Sequence, residues 1–239
     1  MKLELHIHTR YSKDSILCLW GIYIMCRIKG IKAIAITDHN TIRGAMAFSK
    51  KFGNRIKVIV GEEIMTSKGE IVGLFLCEDI KKGLSPEDTI KEILKQNGIV
   101  YIPHPYDEKR KRTVLDYDLI KKYRNSISCI ECYNGRNISL NYGIKQNEIA
   151  DTLKIKKVIG SDAHTFFEIG RNYMCIDDKY DISIKEEFLK SINDAIYIKK
   201  PCLKISHTIT NYIKIFKLLL RGEFYEVFRV INKRIRKRV

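Results

Sequence analysis

Leu3-Glu4-Leu5-His6-Ile7-His8-Thr9 is a segment in which apolar and polar side chains alternate. In an extended strand successive side chains point to opposite faces, so His6 and His8 share one face while Leu5 and Ile7 point into a core. Two imidazoles on one face can bind the same metal ion, and Zn, Mn and Fe all accept imidazole as a ligand. Because a His-x-His pair is also a frequent surface feature, this interpretation depends on the positions of the other histidines.

The chain has six histidines, and five of them follow a short apolar run at the point where polar residues begin. The polar residues at these points are His6 with His8, Asp38 with His39, His104, and Asp162 with His164. One further apolar run ends in an acidic pair, Glu62 and Glu63. Each run is rich in Ile and Val and precedes a segment with helical spacing, which is typical of parallel βα units. The carboxyl ends of barrel strands share one face, so these side chains should meet in space. That convergence predicts a metal site.

Acidic residues at two places add candidate ligands to the histidines. Asp14 follows His8 in the loop before a predicted helix, where a carboxylate can cap the helix or bind a metal ion. Glu62 and Glu63 follow the third strand, and only one of these neighbours can face the barrel axis, where a carboxylate can bridge two cations. The sequence therefore predicts a mixed site of imidazoles and carboxylates, which suits Zn, Mn and Fe alike.

A basic run, residues 106–112, follows His104 on the same predicted rim and contains Arg110 and Arg112. Such a run is often a solvated surface, but guanidinium groups beside cations can also bind two oxygens of a phosphate. The sequence leaves both interpretations open. Further candidates for contact with a phosphate are Asn134, Arg136 and Arg171.

Length and composition limit the class of protein. With 239 residues and 45% hydrophobic content, one α/β domain with a full core is expected. The first residues already belong to the histidine segment and no apolar run reaches the length of a membrane span, so we expect no signal peptide, no transmembrane segment and a cytoplasmic location. Seven cysteines without regular spacing favour reduced thiols over a disulfide framework.

The carboxyl-terminal segment is strongly basic. Residues 207–239 contain nine basic and two acidic residues, in a chain whose formal net charge is +16. Their apolar spacing predicts two amphipathic helices, over 208–221 and 223–236, and divides the chain into a barrel at 1–200 and a helical tail at 201–239. Packing on the barrel or on another subunit is the favoured role of this tail, and contact with a membrane surface or nucleic acid is the alternative.

Six short motifs occur in the order found in the PHP family, which is named for bacterial DNA polymerases and histidinol phosphatases. The matching segments are His6-Ile7-His8-Thr9 with Ser12-x-Asp14-Ser15, Thr37-Asp38-His39-Asn40, Gly61-Glu62-Glu63-Ile64, Pro103-His104-Pro105, Ile130-Glu131-Cys132-Tyr133-Asn134 and Gly160-Ser161-Asp162-Ala163-His164. The chain therefore resembles this family over residues 1–170. The resemblance implies an α/β fold, specifically a distorted (β/α)7 TIM-like barrel, here with a C-terminal helical extension.

The resemblance also implies two or three divalent cations, Zn, Mn or Fe, at the carboxyl ends of the strands. By their motif positions the implied ligands are His6, His8, Glu63 and Asp162 at a first site, Glu63 and His104 at a second, and Asp14, His39 and His164 at a third. Asp38 is expected to orient a ligand. The chain departs from the family pattern in two places: Glu4 stands where Asp is common, and Glu131 with Asn134 stands where many members supply another second-site histidine.

Phosphoester hydrolysis is the usual activity of this family and is the predicted function. A hydroxide that bridges two cations would attack phosphorus in line. His39 or His164 would protonate the leaving oxygen, and Arg136 with the other basic rim residues would neutralise the developing charge. The expected substrate is a small phosphorylated metabolite or nucleotide.

Three alternatives stay open from the sequence. The basic charge also suits a nuclease that releases terminal nucleotides from RNA or DNA, and a protein phosphotyrosine phosphatase activity occurs among relatives. The third alternative is a non-catalytic metal-binding module whose basic tail docks on nucleic acid, a membrane or a partner. Retention of nearly all the implied ligands argues against that module, because buried polar groups are costly around an empty site.

Overall fold

Seven strands close into a barrel in the computed structural model, which describes residues 1–107, 110, 112–137, 142–220 and 222–235. The barrel strands are β1 (Lys2–Ile7), β2 (Ile31–His39), β3 (Lys57–Thr66), β4 (Gly69–Leu74), β5 (Ile99–Ile102), β6 (Cys129–Asn134) and β7 (Lys156–Ala163). They follow one another around the barrel, and β1 closes it by pairing with both β7 and β2. The α/β barrel predicted from the sequence is therefore confirmed.

The remaining elements surround this barrel. Two short strands, β8 (Tyr173–Cys175) and β9 (Ile196–Ile198), extend the sheet from the start of β1. The helices are α1 (Leu19–Lys29), α2 (Arg43–Phe52), α3 (Pro86–Lys95), α4 (Tyr117–Lys122), α5 (Ile144–Leu153), α6 (Lys185–Ser191), α7 (Lys204–Leu220) and α8 (Phe224–Ile235). Helix α3 shows how local sequence sets a boundary, because the Ser85 hydroxyl accepts a hydrogen bond from the Asp88 backbone N–H and Pro86 occupies the first turn.

Strand β4 is the exception to the parallel order of the barrel. It pairs antiparallel with both β3 and β5, whereas the other neighbouring barrel strands pair parallel. Only Ser67 and Lys68 separate β3 from β4, and a connection this short can join only antiparallel strands. As a result Gly69 and Glu70, the first residues of β4, lie at the rim where the other strands end.

A distortion in β1 interrupts the regular alternation of side chains that the sequence predicts for residues 3–9. Leu5 belongs to a buried apolar cluster that takes residues from all seven barrel strands, whereas Ile7 packs in a different cluster with α1 and α2. The cause is His6, whose φ of 64° is left-handed and across which the pairing of β1 shifts register on both edges. His6 and His8 nevertheless converge, with ring centroids 5.2 Å apart.

Helices α7 and α8 form the C-terminal helical extension. Helix α7 contacts the barrel rim, and α8 packs against α7. In the part of the chain that the structure describes, no helix is both long and apolar enough to cross a bilayer. The division into a domain at 1–200 and a tail at 201–239 stays a prediction.

Candidate metal centre

The eight side chains suggested as metal ligands gather at the rim formed by the carboxyl ends of the strands. Six of them are almost completely buried, while Asp14 and His39 expose 19% and 24% of their side chains. Seven of them, all except Asp14, form overlapping groups of three, one of which includes Glu70, and within each group the ligand atoms lie within 4.8 Å of one another. The convergence expected from the sequence is thus observed, whereas metal binding itself stays a proposal.

The first group surrounds the two histidines at the end of β1. The Nε2 atom of His6 lies 3.2 Å from Glu63 Oε1 and 3.8 Å from Asp162 Oδ1. The Nε2 atom of His8 lies 3.4 Å from Glu63 Oε2 and 3.4 Å from Asp162 Oδ1. Both nitrogens are buried without a hydrogen-bond partner. Ligand atoms about 2.1 Å from a tetrahedral Zn²⁺ lie about 3.4 Å apart, so these distances fit one shared cation.

The protonation of His8 also fits a ligand role. Burial, together with the neighbouring His164 and His39, lowers the pKa of His8 to about 3. The imidazole is therefore neutral at pH 7, and a neutral imidazole is the form that binds metal ions.

Glu63 lies at the centre of the cluster. Its Oε1 faces His6 and lies 3.0 Å from His104 Nε2, and its Oε2 faces His8 and lies 2.9 Å from His39 Nδ1. Burial by itself would raise the pKa of this carboxyl, but His6 and His39 hold the pKa of Glu63 well below its usual range. His6 and His8 thus face different oxygens of Glu63, and each oxygen also faces a further histidine, so this charged carboxylate could bridge a cation shared by His6 and His8 to a neighbouring one.

A third group lies where the loop after β1 meets the loop after β7. Asp14 Oδ1 lies 3.2 Å from His164 Nε2 and 3.5 Å from His39 Nε2, and it has no hydrogen-bond partner. The Nδ1 atom of His164 contacts the carbonyl oxygen of Asp162 at 2.8 Å, which turns Nε2 toward Asp14. These atoms fit a further cation position.

Glu70 is a carboxylate that the sequence did not suggest as a ligand. It is 2% exposed, and its Oε2 lies 3.4 Å from His104 Nε2 without a hydrogen-bond partner. Its Oε1 lies 3.8 Å from His39 Nδ1. Glu63, Glu70 and His104 form the second group, in which His104 Nε2 lies within 3.4 Å of both carboxylates. The β3–β4 hairpin therefore places a carboxylate beside His104. The signal in the sequence was the short turn at 67–68, which places the start of β4 at the rim.

Glu131 orients ligands by hydrogen bonding. Its Oε1 accepts a hydrogen bond from the Tyr101 hydroxyl at 2.6 Å and contacts His6 Nδ1 at 3.0 Å. Its Oε2 accepts from the His104 backbone N–H at 2.5 Å and from Asn134 Nδ2 at 2.9 Å. Because Glu131 holds Nδ1 of His6, Nε2 faces the first group. This arrangement favours a positioning role for Glu131 over the role of a second-site ligand.

Asp38 acts on His8 through Ser12. Its Oδ1 accepts hydrogen bonds from the Ser12 hydroxyl at 2.6 Å and from the Thr9 backbone N–H at 2.7 Å. Because the hydroxyl proton is used by Asp38, Ser12 accepts from His8 Nδ1 at 3.1 Å, which leaves Nε2 of His8 unprotonated. A Cβ at Gly44 would lie 1.9 Å from Asp38 Oδ2, so α2 can approach this carboxylate only with glycine there. The contacts agree with the orienting role expected for Asp38.

Three of the converging residues have a positive φ angle, a backbone conformation that residues other than glycine rarely adopt. The φ angle is 64° for His6, 32° for His104 and 50° for Asp162. Such conformations cost about 1 to 3 kcal/mol each and persist where surrounding contacts over-determine them. Their concentration at one rim indicates that the backbone there is held in the geometry of the cluster.

Arg110 lies directly beside the first group. Its Nη2 donates to Asp162 Oδ2 at 2.5 Å, and its Nε donates to Asp107 Oδ2 at 3.0 Å. Asp162 faces the histidines with its other oxygen, so the contact leaves the ligand position intact. Asn134 also donates to Asp162 Oδ2, at 3.2 Å, which makes it a positioning group for this carboxylate. Arg112, by contrast, has an exposed side chain.

Two other arginines suggested as phosphate contacts bind groups of the protein itself. Arg136 is buried and donates from Nη1 to Glu168 Oε1 and from Nη2 to Thr210 Oγ1, both at 3.1 Å. These contacts favour an anchoring role for Arg136 over the catalytic role suggested by the sequence. Arg171 Nη2 donates to the carbonyl oxygen of Pro201 at 2.8 Å.

Glu4 lies apart from the cluster, although it stands at a position where the resembled family commonly has Asp. Its Oε2 accepts a hydrogen bond from the Gly170 backbone N–H at 2.8 Å. Burial raises the pKa of Glu4 to about 8, so the carboxyl is largely protonated at pH 7. The longer side chain thus ties β1 to the segment after His164.

The fold is an α/β barrel whose strand ends hold buried imidazoles and carboxylates that could bind metal ions. Within this fold class the chain is a member of the PHP domain family, because the family model matches residues 4–204. The membership suggested by the six motifs is therefore confirmed. The match ends at the first residue of α7.

Individual known proteins are similar to this chain in sequence or in fold. An uncharacterized protein of Methanocaldococcus jannaschii is 42% identical over 166 residues, covering 61% of this chain and 93% of that protein. A two-domain protein from Bacteroides vulgatus, described as containing a predicted PHP-like metal-dependent phosphoesterase, has a TM-score of 0.65 at 15% identity; the match covers 83% of this chain and 64% of that one. An amidohydrolase from Chromobacterium violaceum, solved with bound sulfate and no metal, has a TM-score of 0.58 at 19% identity, with coverages of 69% and 88%. At these identities the two structures show the fold.

Proposed function

We propose that this protein is a metal-dependent phosphoesterase that releases phosphate from a small phosphorylated metabolite or a nucleotide. The observation that carries the proposal is the set of buried, unpartnered ligand atoms on one rim: His6 Nε2, His8 Nε2, Asp14 Oδ1 and Glu70 Oε2. A buried polar atom without a partner costs about 1 to 3 kcal/mol, so four of them facing common points favour bound cations. Membership in the PHP family supports the same conclusion.

The residues offer three cation positions. From the distances between their ligand atoms, these are His6, His8, Glu63 and Asp162 at the first, Glu63, Glu70 and His104 at the second, and Asp14, His39 and His164 at the third. Mixed imidazole and carboxylate ligands suit Zn, Mn and Fe. When bound, such cations neutralise phosphate charge and lower the pKa of water, so that a nucleophile forms near neutral pH.

Other functions of the proposed site, phosphate binding and proton donation, are assigned to further side chains at the rim. A guanidinium has five N–H donors, and the contacts of Arg110 with Asp107 and Asp162 use two of them, so the group is held in place with donors left for phosphate oxygens. With the third cation position empty, His39, which has the most exposed imidazole of the cluster, would give a proton to the leaving oxygen, and His164 is the alternative donor.

Arg110→Met is expected to raise KM for a phosphomonoester about 10-fold with a smaller fall in kcat, because it removes a charged donor pair that binds phosphate in the ground state as well as in the transition state. Steady-state kinetics of the Mn²⁺-loaded protein measure this split. Arg124→Met is the matched control, since Arg124 is an exposed arginine after α4. Unchanged KM in Arg110→Met would remove Arg110 from the proposed phosphate site.

Two exposed aromatic rings favour a nucleotide over other phosphomonoesters. Tyr11 and Tyr106 are 39% and 38% exposed, and each lies in a rim loop beside a proposed ligand, Asp14 and His104 respectively. Stacking of a base on such a ring is worth about 1 to 3 kcal/mol. The same feature supports the second candidate, a nuclease acting on terminal nucleotides, together with the net charge of +16.

One comparison separates these activities. The Mn²⁺-loaded protein is assayed with nucleoside monophosphates, sugar phosphates and a 5′-phosphorylated oligonucleotide, and the chelator-treated protein serves as control. We expect release of inorganic phosphate from a monophosphate to exceed release of nucleotides from the oligonucleotide by at least about 10-fold in kcat/KM, a difference of about 1.4 kcal/mol. The reverse ratio would favour the nuclease, and absence of turnover in a metal-loaded sample would favour the non-catalytic module.

A further inference from the structure

Lys217 of helix α7 contacts the loop between β1 and α1. The Nζ atom of Lys217 donates to the carbonyl oxygens of Arg10, Ser12 and Ser15 at 3.1, 2.9 and 2.6 Å. An ammonium group has three N–H donors, so one side chain holds three points of a loop that contains neither helix nor strand. Asp14 lies between the last two of these points.

A second set of contacts runs from α7 to His164. The Thr210 hydroxyl donates to the Ser206 carbonyl oxygen at 2.8 Å, so its oxygen is left to accept from Arg136 Nη2 at 3.1 Å. Arg136 Nη1 donates to Glu168 Oε1 at 3.1 Å, and Glu168 Oε2 accepts from the His164 backbone N–H at 2.8 Å. Buried side chains therefore connect α7 to the backbone of a proposed ligand.

Both sets of contacts end at the third group. Asp14 and His164 belong to loops that are also tied to each other, since the Ser15 hydroxyl lies 2.6 Å from the carbonyl oxygen of His8 and 3.2 Å from that of His164. Fixing the backbone of one loop residue costs about 1 to 2 kcal/mol. Contacts from a rigid neighbouring element offset this cost, and here that element is α7.

We infer that α7 is a positioning element of the metal centre, in which Lys217 and Thr210 hold the two loops that place Asp14 and His164 at the third cation position. The inference rests on the proposed metal centre, but it does not depend on which phosphoester is hydrolysed. Both contact residues of α7 lie beyond residues 4–204, the region matched by the family, so this support comes from the C-terminal extension of the chain. Loss of groups that orient metal ligands typically weakens metal binding about 10- to 100-fold.

Lys217→Met in the full chain tests this role, because methionine keeps an unbranched apolar side chain and removes all three donors. We expect the weakest Mn²⁺ equivalent to lose affinity about 10- to 100-fold and the tighter equivalents to be unchanged. Equilibrium dialysis over a range of free Mn²⁺, followed by elemental analysis, measures each equivalent. Lys214→Met, a lysine of the same helix, is the matched control and should bind Mn²⁺ like the wild type.

Thr210→Val is a second variant, similar in shape, that removes the acceptor used by Arg136 and should weaken the same equivalent. The Tm of the metal-free protein is measured for every variant. A purely structural role of α7 would lower this Tm and weaken all Mn²⁺ equivalents together, and that result would overturn the inference. Equal binding by the wild type and both variants would also overturn it. A wild type that binds no Mn²⁺ would instead refute the proposed metal centre as a whole.

Discussion

Glu63→Gln is expected to lower kcat for phosphoester hydrolysis by at least about 1000-fold, or about 4 kcal/mol of transition-state stabilisation. The substitution keeps the shape of the side chain but removes the negative charge that faces two pairs of histidines at distances up to 3.4 Å. A neutral amide is a poor bridge between two cations. Elemental analysis should therefore also find the loss of at least one equivalent of bound metal.

Glu62→Gln is the matched control for this experiment. Glu62 is the preceding residue of β3 and is equally buried, but it points to the opposite face, where Oε2 accepts a hydrogen bond from the Ile80 backbone N–H at 2.9 Å. Burial raises the pKa of Glu62 to about 8, so its carboxyl is already largely neutral at pH 7 and an amide replaces it with little change. We expect kcat and metal content within about 2-fold of the wild type. Retention of activity and metal by Glu63→Gln would remove Glu63 from the centre of the proposed site.

The part of the site built on parallel strands could be predicted from sequence because one geometric rule places it. The carboxyl ends of parallel barrel strands share a rim, so a polar residue directly after an apolar run must lie there. His104 and Asp162 were found by this rule, which also placed Glu62 or Glu63 at the rim; the motif match then selected Glu63. The repeated pattern predicts a barrel of βα units, and the number of seven strands was implied by the resemblance to the PHP family.

This rule did not predict Glu70 as a rim residue, because β4 runs in the opposite direction. In an antiparallel strand the first residues, not the last, lie at the rim, and a search restricted to strand ends passes over them. The short turn at 67–68 gave the hairpin, but hairpin geometry had to be combined with the barrel closure to place Glu70 beside His104. The left-handed backbone of His6 could not be predicted either, since it departs from the regular alternation of side chains that the sequence indicates.

The interpretation of Arg136 shows a different limit. Its position after β6, close in sequence to a rim motif, suggested contact with a phosphate. In the structure Arg136 contacts Glu168 and also Thr210 of α7, which lies 74 residues further along the chain. Spacing within a motif carries no information about such a contact, because the docking of a C-terminal helix depends on tertiary packing. The contacts of Lys217 with the loop after β1 could not be predicted for the same reason.

Glu70→Gln is the second substitution with a large expected effect. We expect the affinity of one Mn²⁺ equivalent and kcat/KM at limiting Mn²⁺ to fall about 100-fold, at the upper end of the range for changes around a metal ligand. The reason is that Glu70 Oε2, buried and 3.4 Å from His104 Nε2, would lose its charge beside the second cation position. Equilibrium dialysis and kinetics over a range of free Mn²⁺ measure the two quantities on the same sample.

The response to added Mn²⁺ separates Glu70 from Glu63. Glu70 belongs only to the second group, so an excess of Mn²⁺ should refill that position and return kcat of Glu70→Gln to within about 10-fold of the wild type by mass action. Glu63 faces both groups, and no excess of metal restores a missing bridge. Glu62→Gln again serves as the control, because Glu62 and Glu70 are buried carboxylates of one hairpin and only Glu70 reaches the histidines. Equal Mn²⁺ isotherms for the wild type and Glu70→Gln would show that Glu70 is not a ligand, and the second position would then be left with Glu63 and His104 alone among the residues proposed here.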